Sequence, residues 1–558
     1  MEAPWYDDYH PFFLEPFELY FWNSLTRKSM TSSTNIYEYA KQGLMLAADR
    51  PAIWFYGKSL TYRKLFIYID NVADHLAALG VGRGTVVTIH LPNCPQAVMA
   101  IYAVAKLGGI CDMVHPLLPA VPLQKHMEFT ESSVLVSGEH LFEPELIHDR
   151  KLIWVDISVH MGIVERIAYR LKNQCHRPRN AIPFESFEED MKQKSCIHNS
   201  VSAEFPALYL QSSGTTGKAK VVVHSHRSVN NWAEAVGGYF AGIDTSKQIC
   251  LSAVPLFHGI GFAQDMHWIM SRGGQQILMA RWDSAMATQL IARHRVTTMA
   301  GVPAMYRSLI KEPSFTSRIA ATLQECFVGG EHADERLKEE FDSYFDGQPH
   351  LMEAYGMTEI LVALSVTNCH HYLRDATGQP LPGRIAAVLE EQIGEATLVG
   401  TGELLACSDS LMLGYLKDPA ATKDALLNWE GKTWLRTGDL GAVTAEQYVY
   451  FTGRKKSIII HNGYNVIPTE VEDVIRSEPS VQEVAVLGVW DEEQRTQQIT
   501  AFIVLENKEK LKNVQDTILA RCRRELPRYA IPRVLHVVSE LPRNQMGKID
   551  IRRLEELL

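Results

Sequence analysis

Short apolar runs alternate with longer amphipathic segments along most of the chain. Apolar runs typical of strands occupy 86–91, 248–254 and 297–301, and helical spacing of apolar positions occupies 97–107 and 284–294. Strands that alternate with helices indicate βαβ units and mostly parallel sheets. In such sheets ligands bind at the carboxyl ends of the strands.

Local signals refine two of these helices. We expect Asn93 to cap the helix at 97–107, with Pro95 in its first turn and Gly108-Gly109 after its end. A second helix is predicted at 263–271, after a loop at 255–261.

The pattern changes near the carboxyl end of the chain. A hairpin is predicted at 439–453, and shorter elements follow: strands at 457–460, 484–489, 499–505 and 533–538, and helices at 468–477 and 511–526. These make a compact α+β unit of normal domain size. The boundary is predicted between Gly453 and Arg454.

A polar loop interrupts the apolar pattern at 211–220, which reads Gln-Ser-Ser-Gly-Thr-Thr-Gly-Lys-Ala-Lys between apolar runs at 207–210 and 221–223. Glycines let backbone N–H groups approach a polyphosphate, hydroxyls donate hydrogen bonds, and lysines add charge. A Walker A loop needs four residues between its glycines and a helix after it. Here two residues separate Gly214 from Gly217 and three valines follow, so a strand–loop–strand phosphate binder is predicted. A plain hairpin turn is the alternative.

Composition narrows the class of protein. The 558 residues are 46% hydrophobic and 22% charged, which is typical of a globular protein with several domains. A formal charge of −10 argues against general nucleic-acid binding. Nine scattered cysteines without a C-x-x-C pair predict reduced thiols in a cytoplasmic protein. The longest apolar stretch, 97–114, is broken by charges and glycines, so no membrane span is expected.

Four further motifs carry groups that a nucleotide needs. The segment 355–359 offers an aromatic face, a hydroxyl and a carboxylate suited to a hard cation, and Asp439 lies in a Thr-Gly-Asp turn suited to ribose hydroxyls. Cations lie at 454–456 and in the terminal segment 541–548. Each motif alone has a simpler explanation as a turn or a solvated side chain. Their joint occurrence does not.

From about Ile36 to Leu558 the chain resembles the adenylate-forming superfamily, which includes acyl-CoA and aryl-CoA ligases, adenylation domains and luciferase-like enzymes. Besides the segments above, the resemblance rests on motifs at 60–63, 255–258, 301–304, 402–404, 414–416 and 463–468. It implies an α/β fold with a large N-terminal domain, 1–453, of αβαβα subdomains with mostly parallel sheets plus a distorted barrel. A small mobile α+β domain, 454–558, completes it.

The resemblance implies a two-step reaction. A carboxylate attacks the α-phosphate of ATP to give an acyl-adenylate and pyrophosphate, and the thiol of coenzyme A then takes the acyl group. Thr358 is expected to bond the α-phosphate, and Glu359 with Thr215 to bind Mg²⁺. The expected phosphate ligands are Ser212, Ser213, Gly214, Thr215, Thr216, Gly217, Lys218 and Lys220.

The remaining roles are also carried over from the resemblance. Tyr355 and Gly356 are expected against adenine, with backbone of Gly329, Gly330 and Glu331, while Asp439 and Arg454 bind the ribose. Lys548 is the expected adenylation lysine. Lys456 is the expected hinge that moves the small domain and brings the Gly463 loop to the thiol.

His258 has two interpretations, since it is either a packed core histidine or a catalytic residue beside the acyl carboxylate. Two positions depart from the family pattern: Ala219 replaces a proline in the phosphate loop, and Ile460 stands where luciferase-like members carry a second lysine.

The acid is expected in a pocket lined by Trp232, Phe257, Gly261, Gly301 and Gly330. No charged residue there would match an amino acid, so an apolar acid fits better, and a medium- or long-chain fatty acid is favoured. An aryl-acid CoA ligase and an enzyme that loads an acyl carrier protein are the alternatives. A non-catalytic nucleotide-binding protein is a third, and oligomeric state is left open.

Overall fold

The computed structural model describes most of the chain with side chains. The described residues are 34–138, 150–173, 177–188, 201–212, 220–240, 244–346, 350–368, 373, 375–390, 394–462, 464–491, 495–506, 511–543 and 549–558. The fold is mixed α/β, with a large N-terminal part that contains parallel sheets and a smaller C-terminal part, as predicted.

Nine strands form one large sheet. Its six central strands are parallel, and antiparallel strands lie at both edges. In spatial order the strands are Gln379–Pro380, Ser365–Val366, Leu351–Tyr355, Glu325–Gly329, Thr298–Gly301, Ile249–Ser252, Gln275–Leu278, Pro51–Phe55 and Lys58–Thr61.

Eight strands form a second sheet with the same mixed character. Six are parallel, and the two at one edge are antiparallel. In spatial order they are Gly414–Tyr415, Val221–Ser225, Pro206–Gln211, Ile110–Met113, Val86–His90, Val134–Gly138, Lys151–Val155 and Ile182–Pro183. The predicted strand–loop–strand arrangement around 211–220 is therefore confirmed.

Helices flank the two sheets, and most of them bury side chains in one of two large cores. They are Ile36–Ala47, Tyr62–Ala78, Pro95–Lys106, Ala120–Thr130, Ile163–Lys172, His226–Tyr239, Ile269–Arg272, Ser284–His294, Pro303–Ile310, Ser317–Ala320, Glu335–Asp342 and Pro419–Ala425. Short 3₁₀ turns occupy Ile157–His160, Phe184–Phe187, Thr245–Lys247, Ser343–Phe345 and Thr358–Ile360. The main core includes Tyr62, Tyr102 and Phe262.

The prediction that Asn93 caps a helix is wrong. The helix Pro95–Lys106 does begin with Pro95 in its first turn, but Cys94 is its N-cap and makes no capping bond through its side chain. The Asn93 amide instead donates to the carbonyls of Ser252 and Val254 and accepts from Leu256 N–H. The side chain therefore ties the second sheet to the loop after a strand of the first.

The helix predicted at 263–271 is longer and of a different type. It starts as a π-helix over Ile260–Trp268 and continues as the α-helix Ile269–Arg272. All but the first of the nine π-helical residues are buried. A segment that is buried on all sides gives no amphipathic period from which its start or its type could be predicted.

An antiparallel sheet of six strands occupies the region where the distorted barrel is predicted. Its strands are Glu395–Thr397, Arg384–Glu390, Gly400–Ser408, Lys432–Val443, Leu426–Trp429 and Val449–Arg454. Bulges at 403–405 and 440–441 shift the register and bend the sheet.

The C-terminal part contains its own small core. A hairpin, Ile459–His461 with Tyr464–Val466, precedes the three-stranded sheet Val481–Asp491, Thr496–Leu505 and Val534–Val537. The helices Pro468–Arg476, Leu511–Glu525 and Ile551–Glu555 cover the sheet, and 3₁₀ turns lie at Lys455–Ser457 and Arg528–Ala530. The predicted strands and helices are found within a few residues, whereas the strand Tyr464–Val466 and the helix Ile551–Glu555 were not predicted.

Candidate functional site

The base of the phosphate loop is closed by its two flanking strands. Pro206–Gln211 and Val221–Ser225 pair antiparallel, and Ser212 N–H donates to the Lys220 carbonyl at 2.9 Å. Six of the predicted phosphate ligands lie outside the described residues: Ser213, Gly214, Thr215, Thr216, Gly217 and Lys218. The structure thus describes the frame of the loop, with Ser212 and Lys220 at its two ends.

Tyr415 links the end of this loop to the predicted metal carboxylate. Its strand pairs with Val221–Ser225, which brings the ring under Lys220, with the ammonium 4.3 Å from the ring centroid. The Tyr415 hydroxyl donates to Glu359 Oε1 at 2.8 Å. Burial, and then the Glu359 carboxylate, raise the pKa of Tyr415, so it stays a neutral donor. The motif at 414–416 had pointed to this tyrosine without indicating its partner.

A buried histidine supports the turn that carries Thr358 and Glu359. His224 is fully buried, and burial lowers its pKa to about 4. Its ring is therefore neutral at neutral pH, and Nε2–H donates to the Thr358 carbonyl at 2.7 Å. His224 was not singled out from the sequence, because nothing local to 221–225 indicates a contact with residue 358.

Gly356 is required by close backbone packing. An added Cβ would stand 2.1 Å from the Val362 carbonyl oxygen and 2.4 Å from Ala363 Cα. The glycine therefore lets the chain fold back on itself between the strand Leu351–Tyr355 and the turn Thr358–Ile360. This sharp return presents Tyr355 and Glu359 on the same edge of the sheet.

Tyr355, Asp439 and Arg454, which are expected to bind adenosine, lie close together. The Tyr355 hydroxyl donates to Asp439 Oδ2 at 2.9 Å, and Arg454 Nε lies 3.4 Å from Asp439 Oδ1. Asp439 and Arg454 are direct partners across an antiparallel strand pair. Burial, and then Asp439, raise the pKa of Tyr355. The buried Asp439 carboxylate is thus oriented from both sides.

The predicted adenine strip follows the neighbouring strand Glu325–Gly329. Gly330 has φ +84°, a left-handed conformation that favours glycine, and turns the chain towards Glu331. Behind the strip, His332 Nδ1 lies 2.9 Å and Lys338 Nζ 2.8 Å from the buried Glu353 carboxylate. Burial alone would raise the pKa of Glu353, but these two cations hold it below its usual value.

An apolar cavity of about 420 Å³ opens beside the adenine strip. Its lining comes from the helix His226–Tyr239, the π-helix and the carboxyl ends of parallel strands: Trp232, Val236, Tyr239, Phe240, Ile260, Gln264, Ala300, Gly301, Phe327, Val328, Gly329, Ala354, Val362, Val366 and Leu381. Gln264 accepts from Trp232 Nε1 at 3.1 Å, which satisfies the indole N–H.

The structure separates the predicted pocket residues. Trp232 and Gly301 line the cavity, whereas Phe257, Gly261 and Gly330 lie outside its lining. A Cβ at Gly261 would stand 2.2 Å from the Pro255 carbonyl oxygen, so this glycine permits the π-helix to pack against the preceding loop. Small size at position 261 thus reflects backbone packing.

His258 lies in the loop before the π-helix and is half-buried. Its ring is 4.4 Å from that of Phe257, which in turn packs on His115 at 4.6 Å. Both alternatives for His258, packing and catalysis, are compatible with this position.

Glu359 is the carboxylate that fits the predicted magnesium ion. Within the described part of the chain, no group of three or more His, Cys, Asp or Glu side chains could hold a metal. A single carboxylate suits Mg²⁺, which is commonly bound by one or two carboxylates together with substrate phosphates and water.

The small C-terminal part contacts the adenine strip through Arg543. Its guanidinium lies 3.6 Å from Glu331 and 3.1 Å from Glu483 of the small part. Arg543 also pairs with Ile549 in an antiparallel bridge. The residues between them, including Lys548, lie outside the described ranges, as does Gly463.

Lys456 lies two residues after the predicted ribose residue Arg454. It is the middle residue of the turn Lys455–Ser457, which joins the antiparallel sheet to the small part. Lys455 Nζ lies 3.4 Å from Glu403 in that sheet.

Comparisons with known proteins agree with this geometry. The sequence profile of AMP-binding enzymes matches residues 43–416, and that of the AMP-binding enzyme C-terminal domain matches residues 470–548. The long-chain-fatty-acid–CoA ligase of Bacillus subtilis is 30% identical over 526 residues, which cover 91% of this chain and 92% of that relative.

Solved structures share the fold. ATP-bound MatB from Rhodopseudomonas palustris has a TM-score of 0.78 at 23% identity, with 94% of this chain and 99% of that chain covered. A Mycobacterium tuberculosis fatty acyl CoA synthetase has a TM-score of 0.67 at 25% identity, with 94% and 98% covered. The profile of AMP-binding enzymes spans most of the chain, and the Bacillus subtilis relative matches nearly all of it. The chain therefore belongs to the family of AMP-binding enzymes.

Proposed function

We propose that this enzyme activates a medium- or long-chain fatty acid with ATP and transfers the acyl group to coenzyme A. The products are acyl-CoA, AMP and pyrophosphate. The relative named a long-chain-fatty-acid–CoA ligase supports the acid and the acceptor, since the match covers nearly the whole chain. The cavity supports an apolar acid, since its lining carries no charged side chain.

The observation that carries the proposal is that the cavity and the nucleotide residues share the same strand ends. Gly329 lines the cavity, and Gly330 and Glu331 follow it in the adenine strip. Ala354 lines the cavity, and Tyr355 follows it with its hydroxyl on Asp439. A carboxylate at the mouth of the cavity would therefore lie next to the α-phosphate of a bound nucleotide.

In the first step a carboxylate oxygen of the acid attacks the α-phosphorus, and the bond to the bridging oxygen of pyrophosphate breaks. Tyr355 would stack on adenine while Asp439 and Arg454 hold the ribose. Thr358 would donate to the α-phosphate, Lys548 would bridge it to the attacking carboxylate, and the phosphate loop would hold pyrophosphate. These cations and donors act where negative charge moves.

Glu359 would hold a magnesium ion, which neutralises phosphate charge when bound. The Tyr415 hydroxyl and the His224 bond to Thr358 keep this carboxylate and its turn in place before any ligand arrives. Orientation before binding reduces the ordering that the nucleotide must impose.

In the second step the thiolate of coenzyme A attacks the acyl carbon, and the bond to the AMP oxygen breaks. We infer a domain boundary at 453/454 and a hinge at Lys456, so that rotation of residues 454–558 withdraws Lys548 and brings the Gly463 loop to the thiol. The turn at Lys455–Ser457 supports the hinge because it directly follows the strand that carries Arg454. His258 would lie on the thiol side of the acyl carboxylate.

A panel of carboxylic acids tests the proposal through ATP-dependent pyrophosphate release, with coenzyme A or an acyl carrier protein as acceptor. We expect turnover with medium- or long-chain fatty acids and product only with coenzyme A. A preference for aryl acids would overturn the substrate, and loading of the carrier protein would overturn the acceptor. Absence of pyrophosphate release with every acid would overturn the catalytic function.

A further inference from the structure

The helix Ile163–Lys172 turns its apolar face away from the protein. Ile163, Val164, Ile167 and Leu171 are 79%, 75%, 56% and 82% exposed. Positions 163, 167 and 171 are four residues apart and 164 lies beside them, so all four side chains share one face. No residue of this helix is buried.

The opposite face of the same helix is fastened to the body by polar side chains and by Tyr169, which packs against the main core. Arg166 Nε donates to the Ser158 carbonyl at 2.9 Å, and Arg170 Nε donates to Ser158 Oγ at 3.0 Å. The Glu165 carboxylate packs against Gly57. A surface helix of a globular protein normally docks by its apolar stripe. In this helix the apolar stripe faces outward instead. It is therefore available to a partner outside the described part of the protein.

Positive charge surrounds the exposed stripe. Lys172 lies on one side of it and is exposed, whereas Arg170 on the other side is paired with Asp156. Arg177 and Arg179 are exposed in the next described segment. Two nearby carboxylates face the body of the protein: Glu165 lies at Gly57, and Asp156 Oδ2 pairs with Arg170 at 2.5 Å, which offsets the charge of that arginine.

Three partners could cover the exposed apolar stripe and the basic residues beside it: a second copy of the chain, the segment 1–33 or a lipid bilayer. A second copy of the chain needs about 800 Å² per partner for a stable interface, and a ten-residue helix about 15 Å long is too small for that. The segment 1–33 has a net negative charge that also matches a basic rim, so a native chain that does not bind vesicles would favour this segment as the occupant. An apolar face with a basic rim is the pattern of helices that lie in the interface of an anionic lipid bilayer.

We propose that the helix Ile163–Lys172 docks on anionic membrane surfaces, with its four apolar side chains among the acyl chains and the arginines and lysine at the headgroups. The protein would lie on the bilayer without crossing it. Among the described helices, none has the length and apolarity to cross a membrane. The inference does not depend on the proposed substrate.

Sedimentation with lipid vesicles tests it on the full chain. We expect binding to vesicles that contain phosphatidylglycerol and weak binding to phosphatidylcholine alone. The double substitution Ile167→Glu with Leu171→Glu should lower partitioning by about tenfold or more, because it puts charge on the inserted face. Lys172→Glu with Arg179→Glu should remove the preference for anionic vesicles.

The matched control is Leu46→Glu, an exposed leucine (63%) on the helix Ile36–Ala47, which should leave vesicle binding unchanged. Thermal unfolding temperatures of all variants should stay near that of the native chain, since the replaced side chains are exposed. Vesicle binding that survives the double substitution would overturn the proposal. Failure of the native chain to bind vesicles would also overturn the proposal. A native dimer that dissociates on the double substitution Ile167→Glu with Leu171→Glu would overturn it as well.

Discussion

Tyr415 connects the cation at the end of the phosphate loop with the carboxylate expected to hold magnesium. Its ring lies under Lys220, and its hydroxyl donates to Glu359. Tyr415→Phe keeps the ring and removes the donor. A hydrogen bond to a charged group contributes roughly 1.5–3 kcal/mol, so we expect the KM for MgATP to rise about tenfold. Steady-state kinetics with varied MgATP measure this.

The control for this substitution is Tyr344→Phe, which removes a hydroxyl bonded to the Ile310 carbonyl far from the loop. It should leave the KM for MgATP unchanged. Tyr415→Phe should also leave the KM for the acid within about twofold, because the cavity has no contact with the lost hydroxyl. An unaltered KM for MgATP in Tyr415→Phe would show that Glu359 needs no such support.

Lys548 is the residue whose role depends most on the family pattern, since it lies outside the described residues. Lys548→Ala should slow pyrophosphate release by at least about a hundredfold, because it removes a charge that stabilises the transition state. ATP binding, measured by calorimetry, should persist. Adenylation at the native rate would contradict the assignment.

At the scale of secondary-structure elements, the acyl cavity forms where strand ends meet the π-helix and the helix His226–Tyr239. Ala300 lies at the end of one such strand with its side chain in the lining. Ala300→Phe should fill part of the cavity and move the best substrate to shorter acids, with kcat/KM for long acids down about tenfold. A chain-length series with each acid measures the shift.

Ala320→Ser is a matched control at another buried alanine, in the helix Ser317–Ala320 away from the cavity lining. It should preserve the chain-length profile. The KM for ATP should be the same in Ala300→Phe and in the native enzyme. A profile that is unchanged in Ala300→Phe would place the acid elsewhere.

At the scale of the whole molecule, Arg543 ties the small part to the adenine strip. It contacts Glu331 at 3.6 Å while Glu483 holds it from its own side, and its bridge to Ile549 closes the segment that contains Lys548. We expect Arg543→Glu to slow adenylation, because the new carboxylate at position 543 and the carboxylate of Glu483 would then both repel Glu331. Thioester formation from supplied acyl-adenylate should be spared, since the proposed rotation would give the small part another orientation for that step.

Charge reversal checks this pairing. Arg543→Glu combined with Glu331→Arg should recover part of the lost adenylation rate. Arg336→Glu is the control, because Arg336 pairs with Glu506 across the same boundary at 3.4 Å without touching the adenine strip. Equal loss of both half-reactions in Arg543→Glu would mean that the residue only stabilises the fold.

The hinge is tested at Lys456, the middle residue of the turn Lys455–Ser457. Lys456→Pro restricts φ at that position and should hinder rotation of the small domain. Pyrophosphate release should proceed at the native rate while thioester formation falls by about tenfold or more. The two half-reactions are measured separately, and an unchanged thioester rate would exclude the hinge at this residue.

Local patterns predicted most of the elements correctly. The strands on both sides of the phosphate loop, the helix Ser284–His294 and the elements of the small part lie where periodicity and turn residues placed them. Predictions failed where burial was complete or where a polar side chain had a distant partner. The π-helix is the first case and Asn93, bonded to Ser252 and Val254, is the second.

By itself the sequence determined the chemistry of the loop, the order of the motifs and hence the family, because these depend on residue types at short spacings. Only the tertiary structure decided which distant groups meet. His224 and Thr358 are 134 residues apart, Tyr355 and Asp439 are 84 apart, and Glu359 and Tyr415 are 56 apart. Such contacts follow from strand pairing and sheet packing, which local periodicity does not encode. The outward face of the helix Ile163–Lys172 was likewise decided by its docking contacts, because an amphipathic pattern alone would place that face inside.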